Sequence, residues 1–126
     1  MGAWSIDPFG NDEAQEWLIN AVFAPLLAAV QAAIEDYLSN NTDDLVKLQM
    51  EAAVALAADL SKGLKGTRYE QINLGLLVKE GGIWDRATLA MKRLQSDEKW
   101  LAGWSRPDEK RRVLAALLAE CEAAQL

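Results

Sequence analysis

The sequence predicts an all-α protein, and three observations support that prediction. Apolar residues recur at helical spacing through most of the chain, helix start and stop signals separate these segments, and only one short stretch also fits a strand. The composition is that of a globular protein, with 51% hydrophobic and 25% charged residues in 126. We therefore expect a single domain over 1–126, with five or six helices (12–126) packed as a compact bundle under an extended N-terminal strap (1–11).

The strap is predicted from two large rings, Trp4 and Phe9, which lie on either side of the turn-forming Pro8. Burying each ring is worth roughly 1.5–3 kcal/mol. We therefore expect the strap to fold back over the helices.

The first helical segment is predicted over 12–38, with Asp12 and Gln15 spaced as a capping box at its start. Its apolar residues cover nearly the whole circumference, which is typical of a central helix. Pro25 is expected to kink or divide it.

A second helix is predicted over 43–62, capped by Asn41 or Thr42. Its many alanines favour close approach of a neighbouring helix. The residues that we expect to face inward form one stripe: Leu45, Leu48, Ala52, Leu56 and Leu60.

Residues 67–80 fit either a helix or a short strand, and the pattern favours a helix. Thr67 and Glu70 have the spacing of a capping box, whereas Gly75 weakens the helix. Gly81 and Gly82 then break the chain.

The pattern of the remaining sequence predicts three more helical segments. One runs from Ile83 or Trp84 to Gln95, and Ser96 is expected to cap a short one in which Trp100 and Trp104 share a face. The closing helix begins at Pro107. Its predicted inward residues are Val113, Leu114, Leu117, Leu118 and Cys121.

The net charge of −6 is unevenly distributed. Residues 1–62 carry ten acids and two bases, whereas residues 63–126 carry nine acids and eleven bases. An acidic half repels nucleic-acid phosphates and attracts a basic protein partner. The candidate partner surface consists of Glu35, Asp36, Asp43 and Asp44.

Localisation is predicted to be cytoplasmic. The start lacks the pattern of a secretory signal, and one cysteine excludes an internal disulfide. The most apolar run, 17–30, is interrupted by Asn20 and Pro25 and is shorter than the ~18 residues of a membrane span.

The absence of histidine removes most common reaction chemistries. Ser-His-Asp and Cys-His nucleophile systems and histidine metal sites are excluded, and phosphate-binding loops do not occur. We therefore predict no cofactor and no metal site. The residues that remain as candidates for a pocket or ligand are Glu16, Glu51, Trp17, Trp84, Trp100 and Trp104. The tryptophans fit either a cleft or the core. Glu51, if it faces inward, must be paired with a cation or be protonated.

Several motifs resemble a bacterial family catalogued as domain of unknown function 4259. They are MGAW, PFGND, Glu16-Trp17, the alanine-rich helix around Glu51, and the ending LQSDEKWLAGWSRPDEKRRVLAALLAEC. The likeness covers both ends of the chain, while Ser5, Ile6 and residues 63–83 depart from it. The family has no assigned activity, so the resemblance implies a fold and a bacterial origin, and no catalytic residue.

Two functions follow as hypotheses. The first is a noncatalytic protein-binding module, of which a toxin-neutralising immunity protein is one form. The alternative is a small hydrolase or ligand-binding enzyme that uses Glu16 and Glu51 in a tryptophan-lined pocket. The enzyme requires a carboxylate in a concave site with a second polar group in reach, whereas the binding module requires an exposed acidic or apolar patch.

Overall fold

The computed structural model describes residues 8–9, 11–39 and 42–125. Within these residues the chain forms six α-helices and no strand, which confirms the predicted all-α bundle. The helices are α1 (Asp12–Ser39), α2 (Asp44–Ser61), α3 (Leu74–Glu80), α4 (Ile83–Gln95), α5 (Glu98–Ala102) and α6 (Pro107–Ala124).

The four long helices α1, α2, α4 and α6 form the body of the bundle. α1 and α2 make the most extensive contact and are joined by a four-residue link, so they are antiparallel. Glu51 and Lys62 bind Lys110 and Glu120 in the same order along the chain, so α2 and α6 are parallel.

α4 completes the arrangement. Its Arg86 and Arg93 bind Glu35 and the Leu38 carbonyl on α1 in the same order, so these two helices are parallel. It follows that α4 is antiparallel to both α2 and α6. Side chains from all four helices fill the core, including Ile34, Tyr37, Met50, Val54, Met91, Leu94 and Leu114.

α1 contains a π-helical turn at Ile19–Phe23, directly before Pro25. Proline lacks the N–H that an α-helix requires, and its ring clashes with the carbonyl four residues earlier. The wider turn accommodates this clash, so the helix continues through Pro25 instead of being divided there.

α1 is also the one helix, among the described residues, that is long and apolar enough to cross a membrane. It exceeds the 14-residue run considered in the sequence, because the helix continues through Asn20 and Pro25. Only 22% of its most apolar window is buried. Length and composition alone do not separate a membrane span from a core helix, so the cytoplasmic localisation stays a prediction.

The helix starts differ from the predicted caps by one residue. The capping side chains are Asn11 for α1, Asp43 for α2 and Asp97 for α5, where the sequence indicated Asp12, Thr42 or Asn41, and Ser96. Asn41 lies outside the described residues. Asp is a better cap than Thr, which accounts for Asp43. The Ser96 hydroxyl donates to the Lys92 carbonyl instead, and Asp97 accepts from the N–H of Trp100.

Residues 67–80 are helical but divided. A 3-10 turn over Arg68–Gln71 precedes α3, which Asn73 caps. The reason for Gly75 is packing, since a Cβ atom at this position would lie 3.0 Å from the carbonyl oxygen of Ser61. The glycine lets α3 approach the end of α2.

The predicted strap falls mainly on residues 1–7 and 10, which lie outside the described part of the chain, Trp4 included. Phe9 is described. Its ring centroid lies 5.2 Å from that of Tyr69, and it packs against the core.

The predicted inward face of α2 is wrong for three of its leucines. Leu45, Leu48 and Leu56 are 42–60% exposed, and of the predicted stripe only Leu60 is buried. The buried face consists instead of Lys47, Met50, Val54, Ala57, Ala58 and Leu60. α2 therefore carries two apolar faces, and the bundle buries the one with smaller side chains.

The closing helix needs a smaller correction. Leu114, Leu117 and Cys121 are buried as predicted, and Leu118 is partly buried. Val113, however, is 54% exposed.

Replacing Gly75 tests the close approach of α3. Alanine at an open helical position would stabilise the fold by about 1 kcal/mol. Because the added Cβ would meet a backbone oxygen at 3.0 Å, we expect Gly75→Ala to lower the free energy of unfolding by about 1 kcal/mol instead. Urea denaturation followed by circular dichroism measures the change, and a more stable variant would contradict this packing.

Candidate functional site

Two charged residues on α2, Lys47 and Glu51, lie one turn apart and share a face of the helix. Lys47 Nζ donates to Asp97 Oδ2 at 2.7 Å, and Glu51 Oε2 accepts from Lys110 Nζ at 2.6 Å. The Lys47 side chain is only 9% exposed. These two contacts, called here the α2 ion pairs, fasten α2 to the start of α5 and to the first turn of α6.

The hydrogen bond between Lys47 and Asp97 raises the pKa of the ammonium and lowers the pKa of the carboxyl. Burial opposes both shifts but is the smaller effect. Lys47 therefore stays protonated at neutral pH, where it is an ion-pair partner and not a nucleophile.

A cavity of about 370 Å³ opens beside this pair. It is lined by Thr42, Asp44, Lys47, Asp97, Lys99, Trp100 and Gly103. Its four charged residues balance one another, so the cavity presents no net charge that would select an anion or a cation.

Lys110 brings three of the predicted pocket residues together. Its ammonium pairs with Glu51 and lies 4.3 Å from the ring centroid of Trp104 and 5.8 Å from that of Trp100. The two indoles meet edge to face, with centroids 5.5 Å apart. Lys110 thus occupies the place that a ligand cation would take against these rings.

Glu51 carries one unusual atom. Its Oε1 is buried and, among the described residues, has no hydrogen-bond partner. A buried acceptor without a donor costs about 1–3 kcal/mol. The hydrogen bond that Oε2 accepts from Lys110 offsets part of this cost.

The other predicted pocket residues lie elsewhere. Glu16 and Trp17 are exposed on α1, whereas Trp84 is buried in the core at the start of α4. Among the residues that the structure describes, neither Glu16 nor Glu51 lines the cavity beside Lys47. No group of three His, Cys, Asp or Glu side chains in the described ranges could hold a metal ion.

The predicted acidic partner surface is partly engaged in the fold. Glu35 forms a bidentate pair with Arg86 at 2.7 and 2.9 Å, which lowers the pKa of its carboxyl. Asp43 caps α2, while Asp36 and Asp44 are exposed. Only the last two leave an acidic surface open to a partner.

The open surface of α2 is apolar. Leu45, Leu48, Ala52 and Leu56 follow i, i+3, i+7 and i+11 spacing and are all exposed; we call them the α2 leucine row. A row of large apolar side chains on the outside of a helix is typical of a contact surface.

Val113 on α6 is 54% exposed. It lies three residues after Lys110 and seven before Glu120, so it shares the side of α6 that binds α2. The α2 leucine row together with Val113 forms the candidate docking face.

Sequence reasoning missed Lys47, Asp97, Lys110 and Val113. A lysine and a glutamate one turn apart on an otherwise apolar helix were the available signal for the α2 ion pairs. Cys121 agrees with its predicted inert role, because it is buried and burial raises the pKa of its thiol to about 11.

Comparison with known proteins adds no relative: the chain matches no family model, no curated protein and no solved structure. The resemblance to the bacterial family of unknown function stays a prediction.

The Asp97→Asn variant tests the first ion pair, because asparagine retains the cap of α5 and removes only the charge. The lowered pKa of Asp97 means that the pair stabilises the fold above a pH of about 3.9, the pKa of aspartate in the unfolded chain. This stabilisation is lost as the pH falls through the pKa of Asp97 in the folded protein. On the alkaline side, the raised pKa of Lys47 means that the pair stabilises the fold below a pH of about 10.4, the pKa of lysine in the unfolded chain. This stabilisation is lost as the pH rises through the pKa of Lys47 in the folded protein.

We therefore expect Asp97→Asn to lower the free energy of unfolding by about 1–3 kcal/mol near pH 7. The difference from the unsubstituted protein should shrink below the Asp97 pKa and above the Lys47 pKa. Denaturant melts across the pH range measure it, with the more exposed Asp44→Asn as a control of smaller effect. A difference independent of pH would contradict the ionic origin.

A double-mutant cycle tests the second ion pair. We expect Glu51→Leu and Lys110→Met each to lower the free energy of unfolding by about 2–4 kcal/mol, because each leaves one charge unpaired in a largely buried site. The double variant should recover most of this loss, since no unpaired charge remains. Additive losses in urea denaturation would show that the two residues do not interact.

Proposed function

We propose that the protein is a noncatalytic protein-binding module that docks a partner on the α2 leucine row and Val113. The proposal depends on one observation: of the seven large apolar side chains that the described residues expose, three are leucines on a single face of α2, each 42–60% exposed. Full burial of such side chains is worth about 1.5–3 kcal/mol each, so covering them favours association.

The α2 ion pairs strengthen this proposal. They fasten the opposite side of α2 to α5 and α6, so α2 cannot rotate to bury its leucines without breaking both pairs. The leucine row is thus held outward by the same contacts that hold the helix in place. Preorganised apolar surface is what a docking site requires, because little conformational entropy is lost on binding.

A bacterial cytoplasmic immunity protein, which neutralises a toxin by covering it, is one concrete form of this proposal. The small size, the net charge of −6 and the preformed apolar face are all consistent with it. The alternative of a small hydrolase or ligand-binding enzyme has less support, because Lys110 engages Glu51 and Glu16 lies exposed on α1.

Affinity capture from a host lysate tests the docking face. We expect the Leu48→Asn/Leu56→Asn variant to lose a partner that the unsubstituted protein retains, because each amide replaces apolar contact area with a group that must be desolvated. Bound proteins are compared by quantitative mass spectrometry.

The matched control is Leu76→Asn on α3, since Leu76 is 48% exposed and Leu48 is 43% exposed. α3 contacts the end of α2 at Ser61, about 20 Å along the helix from Leu48. Thermal melts establish that all three proteins are folded. A partner retained equally by every variant would contradict the proposed face.

A further inference from the structure

The α2 leucine row ends in carboxylates on both sides. Asp44 precedes Leu48 by four residues and Asp59 follows Leu56 by three, so both acids lie on the same helix face as the leucines. Their side chains are 76% and 73% exposed. Along its length, this face therefore carries an acidic residue, then the apolar row, then a second acidic residue.

The nearby lysines cancel this charge only in part. Lys47 lies 3.6 Å from Asp44 but is bound more closely by Asp97, at 2.7 Å. Lys62 lies 3.5 Å from Asp59 but is bound by Glu120 at 2.6 Å. Each lysine thus lies between two carboxylates, which leaves one negative charge in excess at each end. At the Asp44 end Lys99 of α5, which lines the same cavity, offsets this excess, so the Asp59 end is the more acidic.

The dimensions of the face suit a single helix. α2 has 18 residues, which corresponds to a length of about 27 Å. With a helix diameter of about 10 Å, its outer face covers roughly 270 Å². A stable dimer of folded domains needs about 800 Å² from each partner, so this face alone does not provide a dimer interface.

Charge also disfavours a second copy of the chain. An antiparallel pair of α2 helices would place Asp44 against Asp59 of the other copy, and a parallel pair would place each acid against itself. Either arrangement brings like charges together at both ends of the apolar row. The same acids repel anionic lipid surfaces and nucleic-acid phosphates.

We propose that the occupant is a basic amphipathic helix of a partner protein, lying along α2 with its apolar residues on the leucine row and a lysine or arginine at each acidic end. This inference rests on the proposed docking function. Helices that bind in grooves insert apolar side chains at i, i+4 and i+7 spacing, which matches a row that spans about three turns. Ala52, at the centre of the row, leaves room for one large side chain of the partner.

Synthetic helical peptides of about 15 residues test this proposal. The first carries leucines at i, i+4, i+7 and i+11 with lysines at both ends of that face. The second replaces those lysines with glutamates, and the third has the composition of the first in scrambled order. Binding to the full-length protein is measured by isothermal titration calorimetry.

We expect the lysine peptide to bind at least about tenfold more tightly than either comparison peptide, and its affinity to fall as salt rises from about 50 to 500 mM. Asp44→Asn/Asp59→Asn should remove most of the advantage over the glutamate peptide, whereas Asp36→Asn, an exposed acid on α1, should not. Leu48→Asn/Leu56→Asn should abolish binding of the lysine peptide.

Equal binding of the lysine and glutamate peptides, or no binding of the lysine peptide, would overturn the proposal. So would dimerisation in sedimentation experiments or co-sedimentation with phosphatidylserine vesicles that depends on Leu48 and Leu56. The two proposals fail differently. If lysate capture depends on the leucines but not on Asp44 and Asp59, the docking function stands and the basic helix is wrong, whereas capture independent of the leucines removes both.

Discussion

The rotation of α2 about its own axis is the constraint on which the structure depends. Two faces of this helix are apolar, and hydrophobic burial alone does not choose between them. Lys47 and Glu51 favour one of them, because each is largely buried and each binds a residue of opposite charge on another helix or its cap. If α2 turned its leucines inward, Lys110, which is 13% exposed, would lose its carboxylate partner, and a largely buried charge without a partner is strongly unfavourable. The leucines are left outside as a consequence.

This arrangement supports the proposed apolar docking face over a reaction centre. The charged side chains of the interior are used in pairs: Lys47 with Asp97 and Glu51 with Lys110. The indoles that a ligand cation would contact already surround Lys110. What the fold presents outward is a helix with leucines between two carboxylates, which is suited to recognising another helix.

Helical periodicity and capping signals were sufficient to predict the fold class and most helix bounds. The inward face of α2 was not predictable, because assigning it by the largest side chains selects the leucines, whereas ion pairs with Asp97 and Lys110 select Met50 and Val54. These partners lie 50 and 59 residues away in sequence, and local spacing carries no information about them. Trp100 and Trp104 were correctly brought together, since their spacing is local.

The parallel pairing of α2 and α6 has a consequence for biosynthesis. Glu51 and Lys110 are 59 residues apart, so α2 leaves the ribosome well before the residue that neutralises its glutamate. Asp97, the partner of Lys47, emerges before α6, so the two α2 ion pairs form one after the other. Contacts between distant segments also slow folding. The last of the two ion pairs that fix the orientation of α2 thus forms only when α6 has been synthesised.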